Sequence, residues 1–390
     1  MIRPLHQYMK DFTALRSPDE STLVNVPRII QKTQRFNAEP VFTLAHLAHL
    51  SGVDYRYMRR IIARSINPYT EIPIPKRGFS TEQRKLHSPE PELLRLQKWI
   101  LSSILNDVKP SDYAYAYRRG YSAIDAARKH VGAAWILKFD LKNFFSSISE
   151  ISVIDIFKQI GYSPLLSFEL ARLCTYARPS IIGHVDSSDF PYPKGAVPGI
   201  LPQGAPTSGA LSNLKLRRFD RSVAQYCFLN NLIFTRYSDD ITISAGPEFQ
   251  REMIYQTINF LRSALKRERL ELNEHKTRIT PPGARKIVLG LSVEGPDIRL
   301  LREYRRQIET HLRGAKKFGI GAHSRYRHFP SPLHFISFID GHIAYAMSVD
   351  AALAKKWHKQ WLSMLEKESQ CLPELAFICP EEQNLSESKE

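Results

Sequence analysis

Residues 235–244 read TRYSDDITIS, and this stretch decides the fold prediction because it places two adjacent carboxylates at a strand reversal. Isoleucines alternate with threonine and serine after the motif and apolar residues precede it. This pattern predicts a β-hairpin with Tyr237 to Asp240 at its tip. Two carboxylates a few Å apart raise each other's pKa unless a cation neutralises them. Asp239 and Asp240 are therefore candidate ligands of a divalent metal ion.

Residues 135–148, WILKFDLKNFFSSI, supply a third carboxylate. The apolar run at 133–139 predicts a buried strand that ends at Asp140. If this strand pairs with the hairpin, Asp140 and Asp239 can share two Mg²⁺ ions about 3.5–4 Å apart, the separation used in two-metal phosphoryl transfer. Asp140, Asp239 and Asp240 are thus the predicted catalytic and metal-binding residues, with Mn²⁺ as the expected substitute for Mg²⁺.

The composition indicates a globular protein with a polyanionic partner. Of the 390 residues, 43% are hydrophobic and 11% aromatic, and this length predicts two or three compact units. Fifty-five Lys and Arg against 39 Asp and Glu leave a net charge of +16, which favours nucleic acid as the partner. An anionic membrane surface is the alternative, but no apolar run approaches the roughly 20 residues that span a bilayer.

The N-terminal residues, MIRPLHQYMKDF, lack the apolar core of a signal peptide, so we expect a cytoplasmic protein without a membrane partner. The cysteines show neither the paired spacing of a zinc site nor a dense disulfide framework. They are Cys174, Cys227, Cys371 and Cys379. We expect reduced thiols that take no part in the chemistry.

Strand and helix patterns alternate along the chain without the regular order of βαβ units, which predicts an α+β fold with an antiparallel sheet. Two helices separated by Gly52 are predicted within residues 42–62. The second helix is basic, so the pair is either a DNA-reading helix-turn-helix or a helical hairpin that packs on the next domain. We favour the hairpin.

Four blocks, in a fixed order along the chain, resemble the reverse transcriptases, and within them the bacterial retron reverse transcriptases most closely. They read FDLKNFFSSI, LPQGAPTSGALSNL, RYSDDITIS and LELNEHKTRI, at residues 139–148, 201–214, 236–244 and 270–279. Upstream, IPKRGFSTEQRKLHSP is similar to the family's fingers block, and downstream KIVLGLSV is similar to the block before the thumb. The likeness spans residues 42–330.

This resemblance implies a right-hand polymerase of the α+β class, with fingers and palm built from an antiparallel sheet plus helices and with a helical thumb. The expected domains are an N-terminal helical extension at 1–69, fingers and palm at 70–294, the thumb at 295–365 and an acidic, flexible tail at 366–390.

The resemblance also assigns nucleotide-binding residues. Lys76 and Arg84 would grip the triphosphate through charge-assisted hydrogen bonds, although a solvated surface turn is the alternative for this pair. Phe145 would act as a steric gate that excludes a 2′-hydroxyl and favours dNTPs. Gln203 would line the nucleotide and template pocket, in a loop whose glycine lets the backbone approach a ligand. Lys276 would protonate or neutralise the pyrophosphate.

Primer and template contacts are assigned in the same way. Tyr237 would support the primer terminus. A predicted helix that begins near residue 301 has an apolar stripe and a separate basic face. The basic face comprises Arg302, Arg306, Arg313 and Lys317. Such a face would hold an RNA–DNA duplex through phosphate contacts, whereas the alternative is a face that is only solvated. The scarcity of acidic residues around it argues against that alternative.

Two blocks depart from the retron pattern. Residues 126–130 read AARKH where retron enzymes usually show Asn-Ala-x-x-His, and residues 288–290 read VLG where they usually show Val-Thr-Gly. The resemblance links both blocks to recognition of the cognate RNA. The departures at Ala126 and Leu289 therefore bear on retron identity and not on polymerase chemistry.

The resemblance implies an RNA-directed DNA polymerase that copies a structured non-coding RNA into branched, RNA-linked DNA (msDNA) from an internal 2′-hydroxyl. Its partners would be that RNA, the RNA–DNA duplex, dNTPs and an effector protein encoded nearby, in defence against phage. One alternative is another bacterial reverse transcriptase, of the group II intron or abortive-infection kind. A second is a non-catalytic RNA-binding protein on a polymerase scaffold, which the three intact carboxylates disfavour.

Overall fold

The computed structural model describes residues 20–75, 83–177 and 198–371. Its helices are α1 (Glu20–Gln34), α2 (Leu44–Ser51), α3 (Tyr55–Ile62), α4 (Pro91–Ile100), α5 (Ala123–Arg128), α6 (Glu150–Ile160), α7 (Pro164–Cys174), α8 (Ser208–Lys215), α9 (Arg217–Leu229), α10 (Glu252–Arg267), α11 (Arg302–Phe318), α12 (Ile320–Tyr326), α13 (Pro332–Val349) and α14 (Ala351–Cys371). Within this described part of the chain, no helix combines the length and the apolar character needed to cross a bilayer.

The strands form three antiparallel arrangements. The strands are β1 (Tyr69–Pro75), β2 (Gln83–Pro89), β3 (Trp135–Asp140), β4 (Leu232–Tyr237), β5 (Asp240–Ala245), β6 (Arg278–Thr280), β7 (Ile287–Val288), β8 (Leu291–Ser292) and β9 (Arg299–Leu300). β1 pairs with β2, four strands pair in the order β4-β5-β3-β6, and β7, β8 and β9 pair in sequence order. The α+β class with an antiparallel sheet is confirmed.

The described residues divide into two compact units. The first consists of the described residues up to Ala126 and from Ala134 to Pro282, and the second of Ala127–Ala133 and the described residues from Gly283 onwards. The boundary thus falls between residues 282 and 283, whereas the sequence predicted a change of domain after residue 294. A short β-meander, β7-β8-β9, precedes the helices of the second unit and belongs to it, which explains the difference.

The structure describes two other predicted segments only in part. The segment predicted as an acidic tail begins inside α14, which continues to Cys371, and residues 372–390 lie outside the described residues. Of the predicted N-terminal extension, α1, α2 and α3 are described. Leu47 on α2 and Met58 on α3 are fully buried in the main core of the first unit, as the packed-hairpin alternative predicts.

A buried carboxylate ties several segments of the first unit together. Glu150, at the first turn of α6, is fully buried and lies between two guanidinium groups, those of Arg64 and Arg172. Its Oε2 also accepts hydrogen bonds from Thr175 Oγ1 (2.8 Å) and from Gly199 N (3.1 Å). Because a buried charge is tolerated only when it is paired and hydrogen-bonded, this cluster fixes the chain just before the loop at residues 201–204.

Candidate active site

The four-stranded sheet brings three carboxylates to one end. Asp140, the last residue of β3, is the direct cross-strand partner of Asp240, the first residue of β5. Asp239 precedes it in the tight turn after β4, and its carbonyl oxygen accepts a hydrogen bond from Leu141 N at 3.2 Å. Cβ atoms of directly paired residues lie about 4.5–5.5 Å apart, so the three side chains share one local site.

The turn that carries Asp239 has an unusual backbone. Ser238 has φ +61°, whereas Asp239 is not among the described residues with positive φ, the pattern of a type II′ turn. A non-glycine residue in this region costs on the order of 1–3 kcal/mol and persists only where its surroundings hold it. Arg236 Nη1 donates to the Ser238 carbonyl oxygen at 3.0 Å, and Ser238 Oγ donates to the Tyr117 hydroxyl at 3.2 Å.

The Arg236 guanidinium is the anchor of this turn. It is fully buried and donates two hydrogen bonds of 2.8 Å to the carboxylate of Asp220 on α9, which is also fully buried. Its Nη1 donates a further bond to Asn213 Oδ1 at 3.1 Å. Asn213 in turn donates from Nδ2 to the Ala116 carbonyl oxygen at 2.7 Å. A buried polar network with its members paired rigidifies its surroundings, and here it supports the turn before Asp239.

Electrostatic repulsion accumulates at the carboxylates. Burial is the main cause that raises the pKa of Asp239, and the nearby Asp140 carboxylate raises it further. The pKa of Asp240 is raised first by burial and then by the negative charge of Asp239. Both residues therefore lie in a site where added positive charge is favourable.

Asp140 already has a cationic neighbour. Lys276 Nζ lies 3.0 Å from Asp140 Oδ1 and 3.1 Å from Oδ2. Asn273 adds two hydrogen bonds, from its backbone nitrogen to the Asp140 carbonyl oxygen (2.8 Å) and from Nδ2 to Oδ1 (3.3 Å). The segment between α10 and β6 therefore wraps around the end of β3 and delivers a lysine to the carboxylates.

A cleft of about 670 Å³ opens above these residues within the first unit. It is lined by most of the residues that the sequence predicted for the site: Arg84, Asp140, Phe145, Gln203, Asp239, Asp240 and Lys276. These side chains come from strands, loops and turns spread over nearly two hundred positions of the chain. The fold therefore assembles a pocket that combines acidic residues with basic ones.

An aromatic pair shapes one side of the cleft. Phe145 is half-buried, and its ring centroid lies 6.1 Å from that of Tyr117 in an edge-on arrangement. The neighbouring Phe144 is buried. The Tyr117 ring occupies the space above Gly209 on α8, where an added Cβ would stand 2.4 Å from the ring. Tyr117 thus touches both the expected sugar gate and the turn that carries Asp239.

The loop that contains Gln203 is hydrogen-bonded to the β1–β2 hairpin. The Gln203 carbonyl oxygen accepts a hydrogen bond of 2.7 Å from the backbone nitrogen of His87 on β2. Gly204 follows with φ +116°, and an added Cβ there would lie 3.2 Å from the His87 carbonyl oxygen. Glycine is favoured at this position because the backbone angle would strain any other residue and the His87 carbonyl oxygen leaves little room for a side chain.

Three predicted residues differ in how the structure places them. Arg84 is exposed on β2 and lines the cleft. Tyr237 is half-buried at the end of β4, as the cross-strand partner of Asp240, and is not among the residues that line the cleft. Lys76 lies outside the described residues.

The predicted thumb residues lie in the second compact unit. In α11, Ile308, Leu312 and Ala315 are buried. The four basic residues are exposed: Arg302, Arg306, Arg313 and Lys317. The structure thus separates an apolar side of the helix from a basic side.

The carboxylates have the chemistry that a divalent cation requires. Carboxylate oxygens are the hard ligands that Mg²⁺ prefers, and the raised pKa values of Asp239 and Asp240 mark a surplus of negative charge that a cation would relieve. In the described residues, however, no three Asp, Glu, His or Cys side chains already converge closely enough to hold a metal ion. The Asp140 carboxylate is paired with Lys276 in this structure.

The sequence interpretation missed three contributors to this site. Tyr117 was part of a tyrosine-rich loop without an assigned role, and Arg236 and Asp220 gave no local signal of their pairing. The sequence shows an arginine directly before the Tyr-x-Asp-Asp motif, but only the packing of α9 on β4 in the structure shows that this arginine is buried. The contact between Tyr117 and Ser238 likewise joins positions far apart in sequence.

Comparison with known proteins places most of this chain in one protein family. A family model described as reverse transcriptase (RNA-dependent DNA polymerase) matches residues 48–293, which is more than half of the chain.

Individual relatives are retron proteins. The chain is 28% identical over 302 residues to the Retron Ec86 reverse transcriptase of Escherichia coli, covering 77% of this chain and 86% of that protein. It is 28% identical over 340 residues to the Retron Mx65 reverse transcriptase of Myxococcus xanthus, covering 87% of this chain and 73% of that protein.

A solved structure of telomerase from Candida albicans in complex with a TWJ fragment of telomeric RNA also aligns. The TM-score is 0.42 at 13% identity, covering 80% of this chain and 65% of that chain. A likeness at this level supports no inference.

Proposed function

We propose, since this chain belongs to the reverse transcriptase family and is an RNA-directed DNA polymerase of the retron type, that it copies part of a structured non-coding RNA into branched, RNA-linked DNA from an internal 2′-hydroxyl. The observation that carries the polymerase assignment is the single cleft shared by the acidic triad, Arg84, Phe145, Gln203 and Lys276. The branched product and a role in defence against phage are the finer parts of the proposal. The similarity to retron reverse transcriptases supports the retron assignment, from which these finer parts are inferred.

Asp140, Asp239 and Asp240 are proposed to hold the divalent ions that this family generally uses, with Mg²⁺ as the physiological ion and Mn²⁺ as a substitute. When bound, such ions lower the pKa of the attacking hydroxyl and neutralise the departing pyrophosphate. The chain's own contribution is the fixed geometry of the carboxylates, because Arg236 holds the turn before Asp239 and Asn273 holds Asp140.

The remaining cleft residues are proposed to select and orient a dNTP. Arg84 donates charge-assisted hydrogen bonds to the triphosphate, together with Lys76. Phe145, braced by Tyr117, fills the space that a 2′-hydroxyl would need. Lys276 is held at Asp140, so its ammonium group is close to where a leaving pyrophosphate would be neutralised.

The nucleic acid is proposed to lie along exposed basic groups. On α11, the free basic side matches the sequence-independent phosphate contacts of an RNA–DNA duplex. Tyr237 is proposed to support the primer terminus from the end of β4. An effector protein encoded nearby and a cytoplasmic location complete the proposal.

Primer extension tests the chemistry. Purified protein with Mg²⁺, dNTPs and a DNA primer on an RNA template should yield extended product, and chelation of the metal should stop it. The double variant Asp239→Asn/Asp240→Asn should lower extension to background, because each substitution removes a charged ligand. As a matched control, Asp107→Asn/Asp155→Asn removes two exposed carboxylates that do not line the cleft and should leave the rate unchanged. Extension that survives in the Asp239/Asp240 variant would refute the site.

Sugar selection tests the gate. Phe145→Ala should admit rNTPs, since the ring no longer fills the space beside the sugar, whereas Phe145→Tyr should keep the preference for dNTPs. Unchanged discrimination in Phe145→Ala would remove Phe145 from this role.

The product tests the retron proposal separately. Nucleic acid that co-purifies with the protein from cells carrying its flanking DNA should contain DNA joined to RNA through a 2′-hydroxyl. Sequencing after debranching should show a DNA copy of one structured RNA. Active polymerase without any RNA-linked DNA would leave the polymerase assignment intact and contradict the branched product.

A further inference from the structure

A second cleft lies in the first compact unit, apart from the catalytic one. It has a volume of about 570 Å³ and is bounded by the loop at residues 109–113 and one side of α9. None of its lining residues also lines the catalytic cleft. Arg217, Arg221 and Phe228 follow one another at intervals of about one and two helical turns, so they share the face of α9 that borders the cleft.

The charges in this cleft, which we call the α9 cleft, are mainly positive. Lys109, Arg217 and Arg221 line it, and none of them has an ion-pair partner within residues 20–75, 83–177 and 198–371. The acidic residue that lines it, Asp112, points its carboxylate to within 3.5 Å of Arg118.

Arg217 and Arg221 lie one helical turn apart on α9 and both line the cleft, so their positive charges repel each other. Arg217 Nη2 donates a hydrogen bond to the Lys109 carbonyl oxygen, which fixes the side chain in place. Like charges four residues apart on a helix are destabilising. Burial, and then the positive charge of Arg221, lowers the pKa of Arg217. An anionic ligand would remove this repulsion.

Aromatic rings accompany the charges. Phe228, at the end of the basic face, is 81% exposed and so contributes little to the core. Tyr113, across the cleft, is 40% exposed, and its ring lies 5.5 Å from that of the buried Phe234, in a stacked arrangement. Exposed rings beside basic groups are typical of surfaces on which the bases of a single strand stack while phosphates meet the cations.

We propose that the α9 cleft binds a single-stranded segment of RNA, with a base stacked on Phe228 and phosphates held by Lys109, Arg217 and Arg221. The charge pattern favours RNA over a second copy of this chain, because two copies would bring the same cations together. The cleft shares no lining residue with the catalytic pocket, so an RNA segment bound here leaves that pocket free. The proposal rests on membership in the reverse transcriptase family and is independent of the branched product.

Cross-linking locates the contact. The full-length enzyme is incubated with an unlabelled RNA–DNA template–primer hybrid in excess, to fill the catalytic cleft, and with a single-stranded dodecauridylate that contains 4-thiouridine. After irradiation and tryptic digestion, the RNA should be attached to the peptide of residues 222–236, which contains Phe228. Absence of cross-links in this peptide would overturn the proposal.

Equilibrium binding measures the contributions. Phe228→Ala should weaken binding of the dodecauridylate about tenfold, which lies within the range for loss of one base–aromatic stack. Tyr255→Ala is the matched control, because Tyr255 is 74% exposed on α10 and does not line the cleft. Equal losses in the two variants would contradict the proposal.

Salt dependence identifies the phosphate contacts. Lys109→Ala/Arg221→Ala should lower the slope of log affinity against log salt by about 1.4, since each contact to a single strand contributes about 0.7. Lys266→Ala, an exposed control outside the cleft, should leave that slope unchanged. All these variants should extend a short primer at the wild-type rate. Sedimentation tests the alternative occupant. If the wild type sediments as a dimer and Phe228→Ala sediments as a monomer, the cleft binds a second copy of this chain and the proposal is overturned.

Discussion

Replacing Arg236 by methionine should damage both the stability of the palm and its catalysis. The guanidinium makes two hydrogen bonds of 2.8 Å to Asp220 and one of 3.0 Å to the carbonyl oxygen of Ser238, and both members of the ion pair are fully buried. Arg236→Met leaves the Asp220 carboxylate buried without its partner. Breaking a buried pair in this way costs about 3–5 kcal/mol. The loss is a large fraction of the 5–15 kcal/mol that typically holds a domain folded.

A double variant separates stability from catalysis. In Asp220→Leu/Arg236→Met both charges are gone, and apolar replacement of a buried ion pair is often neutral or stabilising, so most of the lost stability should return. The Ser238 carbonyl oxygen nevertheless still lacks its donor, and the left-handed Ser238 that precedes Asp239 is no longer held. A displacement of about 1 Å at a reacting group costs about 100-fold in rate, so kcat should remain far below that of the wild type.

Hydrogen-exchange mass spectrometry on the peptide of residues 232–245 reports the stability of this hairpin within its own unit. A loss of about 3–5 kcal/mol corresponds to exchange faster by about 100- to 5,000-fold in Arg236→Met, and the double variant should return close to wild type. Arg262→Met, which removes an exposed ion pair with Glu274, is the control and should leave exchange unchanged. Wild-type kcat in the double variant would refute the positioning role, and unaltered exchange in Arg236→Met would refute the energetic reasoning.

Three further changes test other parts of the structure. Glu150→Leu leaves the buried Arg172 and the partly buried Arg64 without a counter-charge and should destabilise the first unit by about 3–5 kcal/mol, measured by hydrogen exchange in α6. Gly209→Ala should raise the KM for dNTPs while α8 stays folded, because the new Cβ would stand 2.4 Å from the Tyr117 ring; an unchanged KM would show that Tyr117 is free to move without consequence. Burial and then the charge of His323 lower the pKa of His311 from 6.5 to about 4, so its neutral form stabilises the fold above pH 6.5 and that stability is lost as the pH falls towards 4. The second unit should lose on the order of 2 kcal/mol between pH 7 and pH 5, a loss that thermal unfolding should show and that His311→Phe should reduce.

The sequence predicted the acidic centre because its signals are local. Alternating residues around the Asp239–Asp240 pair specify a hairpin, and an apolar run specifies the strand that ends at Asp140. Those periodicities do not encode which strand lies beside which. The expectation that Asp140 lies near Asp239 followed only from the assumption that β3 pairs with the hairpin, and the observed register, in which Asp140 pairs with Asp240, supports that assumption.

The supports of the site could not be predicted in the same way. Successive residues of a strand face the core and the solvent in turn, and the sequence does not show on which face Arg236 lies. An arginine in a strand is normally expected to face water. Its burial depends on Asp220 on α9. The apolar periodicity of α9 indicates which face of the helix is buried, but not which strand that face packs against. Tyr117 is similar, because its position depends on the absence of a side chain at Gly209.

The two blocks that depart from the retron pattern are a further case in which the sequence alone does not show which distant segments lie together. In sequence they are widely separated, at residues 126–130 and 288–290, and only the resemblance to retron enzymes linked them. The structure places 127–133 in the same compact unit as the second block, where Gly132 N donates to the Val293 carbonyl oxygen at 3.0 Å. His130 is fully buried there, so its side chain packs inside this unit and is not presented to solvent. Leu289 has φ +48°, a conformation that costs a non-glycine residue about 1 kcal/mol or more, so Leu289→Gly should stabilise the second unit, and a loss of stability in thermal unfolding would contradict this reasoning.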